Sequence, residues 1–135
     1  MNRAARAAGG WPWEVAVDID VRKFGKVHVV RMRGQLKLGE AVDDLRSTVD
    51  GIMNEGHSWV VANMTEVPMA DSSGIGALVR YQTALKARGG ALKLVSPSKL
   101  VTQTLKILGL LSVFEVLAEE QQAVNSFGDV SAAGK

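Results

Sequence analysis

Two adjacent hydroxyl groups stand where the sequence changes from a predicted buried strand to a predicted helix. Ser72 and Ser73 follow an apolar run at residues 59–64 and precede a segment whose apolar residues have helical spacing. The first turn of a helix has unpaired N–H groups and carries the positive end of the helix dipole. Such a turn suits either a serine cap or an added phosphate group. The two serines therefore predict a structural cap or a phosphorylation site.

The motif that contains these serines is more specific than its parts. Residues 71–76 have the sequence Asp-Ser-Ser-Gly-Ile-Gly, which resembles the phospho-switch loop of STAS domains, the family of bacterial anti-sigma factor antagonists. The resemblance extends over residues 15–127, because further segments follow in the family's order and spacing: Arg33-Gly34-Gln35-Leu36, Gly89-Gly90 and Leu108-Gly109-Leu110. It implies that Ser72 is the serine that a partner kinase phosphorylates. It also implies that Asp71, Ser73 and Gly74 belong to the partner-binding loop.

The sequence departs from the family pattern at two positions of the loop after the second strand. Gln35 stands where the family commonly has Glu, and Lys37 stands where many phospho-switch members have Asp. In the family this loop helps to engage the kinase, so the resemblance implies that Gln35 and Lys37 contact the partner. The change at Lys37 reverses a charge on that surface.

The resemblance implies a binding switch that regulates sigma-factor-dependent transcription. The expected partner is an anti-sigma factor with serine kinase activity that supplies its own ATP and Mg²⁺, and a phosphatase would reverse the modification. We expect no cofactor or metal in the chain itself, no enzymatic activity, and a monomer or weak dimer. One alternative is a stand-alone STAS subunit that docks on a transporter ATPase or a signalling assembly without a phospho-switch. Another is a small-anion or nucleotide-binding domain that uses the helix N-terminus.

A second stripe on the same helix is a candidate docking face. Ala77, Tyr81, Ala84 and Arg88 lie about 120° around the helix from the predicted core face. Small residues beside one aromatic and one arginine are typical of interfaces, so Tyr81 is a candidate partner-binding residue. The alternative is that Tyr81 covers the edge of the core.

The elements that must position these residues follow from periodicity. Alternating apolar residues from Glu14 predict a strand, and Lys23–Lys26 predicts a turn into a second strand at residues 27–33. Three predicted strands then alternate with helices, so the order is β-β-α-β-α-β-α-β-α. The boundaries of the later elements are strands at 59–64, 91–95 and 113–117, and helices at 40–54, 73–88, from Ser98 to Leu108, and 119–127. This order predicts an α/β STAS fold: a mixed, mostly parallel sheet of about five strands with about four α-helices.

Composition limits the classes of protein to which the chain belongs. With 135 residues, 47% of them hydrophobic and 22% charged, the chain predicts one globular domain at residues 13–128, with flexible segments at 1–12 and 129–135. The net charge of +2 and the scattered basic residues argue against nucleic-acid binding. Cysteine is absent, and no apolar run has the length of a membrane span. We expect a cytoplasmic protein.

The titratable residues do not form a recognisable catalytic motif. His28 falls in a predicted strand and His57 in a loop, and neither has a motif companion. The adjacent acidic pairs at 43–44 and 119–120 lie on predicted helices, so their side chains point in different directions. Gly74-Ile75-Gly76 is too short for a dinucleotide fingerprint, and Ser72 lacks the Gly-x-Ser-x-Gly elbow of a hydrolase.

Overall fold

A five-stranded mixed sheet organises the chain. The computed structural model describes residues 17–128, and the order of the strands across the sheet is their order in the sequence. β1 and β2 form an antiparallel hairpin, and all later neighbours are parallel. The strands are β1 (Val17–Phe24), β2 (Val27–Gly34), β3 (Trp59–Glu66), β4 (Ala91–Val95) and β5 (Val116–Leu117). The predicted mixed, mostly parallel sheet is confirmed.

Four α-helices in the described residues connect or follow these strands. They are α1 (Glu40–Asn54), α2 (Ser72–Ala87), α3 (Lys99–Ile107) and α4 (Glu120–Asn125), with a short 3₁₀ helix at Leu111–Val113. α1 has the predicted bounds. It ends where Gly56 adopts φ +88°, a left-handed conformation that glycine reaches without a Cβ clash.

Hydrophobic side chains cover both faces of the central strands. On one face, β2 and β3 pack against α1, α2 and α3. These helices contribute Leu45, Leu78 and Leu105, respectively, to the main core. On the other face, the smaller cluster of Val27, Val29, Val61 and Val95 packs against Ala123 and Val124 of α4. β2 is therefore an inner strand of the sheet that is buried on both faces.

The C-terminal third differs from the sequence prediction in detail. The predicted strand at 113–117 is only Val116–Leu117, because residues 111–113 turn tightly as a 3₁₀ helix. The last helix covers Glu120–Asn125 rather than residues 119–127, and Glu119 caps it through a capping box with Gln122. On α3 only Val101 and Leu105 are buried, while Leu100 and Leu108 are 53% and 49% exposed. This helix begins at Lys99, with Ser98 as its N-cap, and ends at Ile107, close to the predicted bounds of Ser98 and Leu108.

Some predictions concern parts of the chain outside the described residues. These are the flexible segments at 1–12 and 129–135 and the start of the first strand before Val17. Within residues 17–128, none of the helices combines the length and the hydrophobicity that a membrane span requires.

Candidate functional site

The candidate site lies at the carboxyl edge of the parallel strands, where two loops and the start of α2 meet. The loop after β2 and the loop after β3 pair as a short parallel bridge between Leu36 and Ala70. The Leu36 N–H donates to the Met69 carbonyl oxygen at 3.0 Å, and the Asp71 N–H donates to the Leu36 carbonyl oxygen at 3.1 Å. The side chain of Leu36 is fully buried beneath this bridge. The bridge fixes the position of the second loop relative to the first.

Asp71 is the N-cap of α2. Its Oδ1 accepts a hydrogen bond from the Gly74 N–H at 2.8 Å, and its Oδ2 accepts one from the Leu38 N–H at 2.9 Å. The suggested cap role of Ser72 or Ser73 is therefore wrong, because the carboxylate that precedes them reaches the free amides of the first turn. Burial alone would raise the pKa of Asp71. The N–H groups of Leu38, Gly74 and Ser73 and the charge of Lys37 outweigh burial, so the pKa lies below its ordinary value.

Ser72 is the first residue of α2 and is exposed, whereas Ser73 is partly buried beside it. Because Asp71 supplies the cap, the Ser72 side chain is not needed for that role. Its position at the surface makes it accessible to another protein.

Gly74 allows α2 to approach the loop after β2 closely. A Cβ atom at this position would overlap the Leu36 carbonyl oxygen and would lie 2.9 Å from Leu36 Cγ. Any larger residue would push the start of α2 away from the Leu36–Ala70 bridge. The glycine in the motif thus has a packing reason that does not depend on a partner.

A groove lies between α1 and α2, and Ser73, the neighbour of Ser72 in the chain, is part of its lining. It has a volume of about 270 Å³. Ser73 lies on its wall, and Leu38 at its rim is 75% exposed. Arg46 and Arg80 give it a basic lining. The complete lining consists of Leu38, Val42, Arg46, Ser73, Gly76, Ala77 and Arg80.

Of the residues that line this groove, the sequence had pointed to Ser73 and Ala77 and not to Leu38, Val42, Arg46 or Arg80. Arg46 and Arg80 belong to different helices, so sequence spacing gives no sign that their side chains line one surface. Leu38 did carry a signal, because it is a large apolar residue between Lys37 and Gly39 in a predicted loop. Gln35 and Lys37, which were predicted, are exposed on that same loop.

The candidate docking stripe on α2 is buried at Ala77 and Tyr81, partly buried at Ala84 and exposed at Arg88. Tyr81 is 6% exposed and Ala77 is 7% exposed, and both belong to the main core. The Tyr81 hydroxyl donates to Asp50 Oδ1 of α1 at 2.8 Å, and Arg88 Nη1 donates to the Met53 carbonyl oxygen at 2.9 Å. Burial, followed by the neighbouring Asp50 carboxylate, raises the pKa of Tyr81. Tyr81 therefore belongs to the core, as the alternative interpretation predicted, and it is not available to a partner.

The chain is similar to known proteins in both sequence and structure. The family model of the STAS domain matches residues 18–123. An anti-sigma-factor antagonist (STAS) domain protein from Planctomyces limnophilus has a similar structure, with 22% identity, a TM-score of 0.68, and coverage of 87% of this chain and 99% of that chain. The Bacillus cell fate determinant SpoIIAA in its phosphorylated form is also similar, with 22% identity, a TM-score of 0.67, and coverage of 82% and 99% respectively. A sulfate transporter family protein from Wolinella succinogenes has 21% identity, a TM-score of 0.65, and coverage of 81% and 88%.

Proposed function

The chain belongs to the STAS-domain family, and from this premise we propose that it is an anti-sigma factor antagonist that phosphorylation of Ser72 switches off. The observation that carries the proposal is the exposed Ser72 at the start of α2, beside the groove between α1 and α2. The partner is an anti-sigma factor with serine kinase activity that brings its own ATP and Mg²⁺. A phosphatase restores the unmodified serine.

The chemistry of the site supports a protein partner. The exposed side chain of Leu38 is suited to an apolar pocket on another protein. The guanidinium groups of Arg46 and Arg80 favour acidic side chains. Lys37 adds a further positive charge on the same loop. The proposed partner surface therefore combines an apolar pocket with acidic residues.

Phosphorylation of Ser72 would have both favourable and unfavourable electrostatic effects on partner binding. A phosphate group adds a charge of about −1.5 to −2, and the start of a helix favours such a charge by roughly 0.3 to 1 kcal/mol. In α2 the carboxylate of Asp71 already accepts from the Gly74 N–H, so it both competes for the helix end and repels the phosphate. Burying a dianion in an interface built around a neutral hydroxyl costs several kcal/mol. The interface penalty is the largest effect, so the modified chain releases its partner while remaining folded.

The test measures the affinity of the full chain for its anti-sigma factor by calorimetry. Ser72→Ala should bind like the unmodified chain, and Ser72→Asp should bind at least about tenfold more weakly, since tenfold corresponds to about 1.4 kcal/mol. Ser112→Asp is the control, because Ser112 is also exposed but precedes β5 at the opposite edge of the sheet. Mass spectrometry after incubation with the partner and ATP should locate one phosphate on Ser72. Equal affinities of the Ala and Asp variants would remove the switch from the proposal.

A second candidate is a STAS subunit that docks on a transporter ATPase or a signalling assembly. The exposed Lys37 favours it, because it reverses a charge on the loop that engages the kinase in phospho-switch members. For this candidate Ser72→Asp leaves partner affinity unchanged, while Lys37→Asp weakens it. The small-anion alternative is less well supported, because the Asp71 carboxylate occupies the helix end that an anion would need.

A further inference from the structure

A cluster of three metal-ligating side chains lies at the amino edge of the sheet, opposite Ser72. His28 is the second residue of β2, Glu55 caps the C-terminus of α1, and His57 lies in the loop that leads into β3. One nitrogen of each histidine and one carboxylate oxygen lie within 4.8 Å of one another. The two imidazole rings are 4.5 Å apart between centroids, with an angle of 42° between their planes.

His28 is the unusual member of this cluster. Its side chain is only 2% exposed, and neither ring nitrogen has a hydrogen-bond partner among the described residues. Buried side-chain nitrogens are nearly always paired, because an unpaired one has lost its bonds to water without replacement. Burial, followed by the nearby His57 and Lys23, lowers the pKa of His28, and the neutral ring is the form that ligates metals. A buried, unpaired imidazole that faces a second imidazole and a carboxylate is typical of a metal-binding site.

From this geometry we propose that His28, Glu55 and His57 bind one divalent transition-metal ion, for which Zn²⁺ is the best match. Two imidazole nitrogens, one carboxylate oxygen and a water molecule form a common tetrahedral zinc set, with bonds of about 2.0–2.2 Å. Ligand atoms in such a set are about 3.4 Å apart, so no pair in the cluster has to close by more than about 1.4 Å when the ion binds. Glu55 is exposed, so its side chain is free to rotate toward the histidines.

The surroundings give the ion an entry path and a favourable field. An open cleft of about 440 Å³ between β1 and α1 includes both His28 and Glu55 in its lining. The carbonyl groups at the C-terminal end of α1 carry partial negative charge, which favours a cation. Lys23 lies in the same cleft and opposes a cation, but its side chain is exposed and free to turn into solvent. The bound ion would tie the end of α1 to β2 without contacting the loops around Ser72.

The test titrates Zn²⁺ into the untagged full-length chain, after treatment with a chelator, in competition with a chromophoric chelator. We expect one ion per chain, and we expect Co²⁺ in its place to give the visible absorption of a tetrahedral complex. Glu55→Gln and His57→Ala should each weaken Zn²⁺ binding by at least about tenfold. Residues that only hydrogen-bond to metal ligands already change metal affinity by about 10- to 100-fold when they are replaced, and the ligands themselves should matter at least as much. Zn²⁺ should also raise the midpoint of thermal unfolding, because it binds only the folded chain.

Asp43→Asn is the matched control, since Asp43 is an exposed carboxylate in the first turn of the same helix, and it should bind Zn²⁺ like the unmodified chain. Absence of binding at a large excess of Zn²⁺ would overturn the proposal. Binding that neither Glu55→Gln nor His57→Ala weakens would also overturn it, because the ion would then occupy another site. Glu55 is exposed, so its variant is expected to fold, and the outcome does not depend on a substitution in the core.

Discussion

Replacing Asp71 with alanine should destabilise the domain, because one carboxylate holds both the start of α2 and the loop after β2. The substitution removes the hydrogen bonds to the Gly74 N–H at 2.8 Å and to the Leu38 N–H at 2.9 Å. Loss of an N-cap costs about 1 kcal/mol. Loss of a charge-assisted bond to a second amide adds about 1 to 2 kcal/mol. We expect the free energy of unfolding to fall by about 2 to 3 kcal/mol in total.

Urea unfolding at neutral pH measures this change in the free energy of unfolding. Two further variants show which side-chain atoms are responsible for it. Asp71→Asn keeps one side-chain oxygen as an acceptor, so it should lose about half as much as Asp71→Ala. Ser72→Ala should change the free energy of unfolding by less than about 0.5 kcal/mol, because Ser72 is exposed and is not the cap. Amide exchange should quicken at Leu38 in Asp71→Ala, since that N–H loses its acceptor.

The pH dependence gives an independent check of the same interaction. The pKa of Asp71 is lowered in the folded chain, so its stabilising effect is present above the unfolded pKa of about 3.9. It is lost as pH falls through the lower folded pKa. The difference in stability between the unmodified chain and Asp71→Ala should therefore shrink below about pH 4. An Asp71→Ala variant as stable as the unmodified chain at pH 7, or a difference that stays constant down to pH 3, would refute the reasoning.

Two other predictions concern the packing of glycine in α2 and the ion pair between Arg31 and Glu120. Gly74→Ala should destabilise the domain by about 1 to 3 kcal/mol, because the added Cβ would overlap Leu36. Gly76→Ala should stabilise the domain by about 0.5 to 1 kcal/mol, because no atom lies within 4 Å of the added Cβ and alanine favours the helix. Chemical unfolding of both variants checks this pair, and equal changes would contradict the packing argument. Glu120→Gln should cost about 1 kcal/mol at pH 7, since Arg31 donates to both Glu120 oxygens at 2.9 and 2.6 Å and the pair is partly exposed. The hydrogen bonds from Arg31 lower the pKa of Glu120, so this cost should decline as pH falls below about 4.5, and a cost that is independent of pH would exclude the charged pair as its source.

The regular part of the fold was predictable because it depends on local patterns. The bounds of α1 and β4 were predicted correctly, since each is closed by glycine or by a clear change of periodicity. The second strand was predicted at residues 27–33 and covers Val27–Gly34. The short C-terminal elements were not predicted correctly. A strand of two residues and a helix of six carry too little periodicity to fix their ends.

The site was predictable in its position but not in its contacts. The motif at 71–76 located the turn from β3 to α2. It did not show that the Asp71 carboxylate, and not a serine hydroxyl, accepts the hydrogen bond from the Gly74 N–H, because that depends on the side-chain geometry of the folded loop. The bridge from Leu36 to Ala70 joins segments more than thirty residues apart, and no local pattern encodes it. Tyr81 was misplaced because a helical wheel gives an angle around one helix and not the position of its neighbour.

The order of the strands has a consequence for what the carboxyl edge can bind. In doubly wound sheets a ligand crevice opens at the switch point, where successive connections leave a strand in opposite directions. Here the chain advances from β1 to β5 in a single direction, so the described sheet contains no such reversal. At that edge Ser72 and Leu38 instead lie exposed on the loops beside the groove between α1 and α2. Within the described residues, the carboxyl edge thus offers exposed side chains and a groove between two helices, and not the crevice of a switch point.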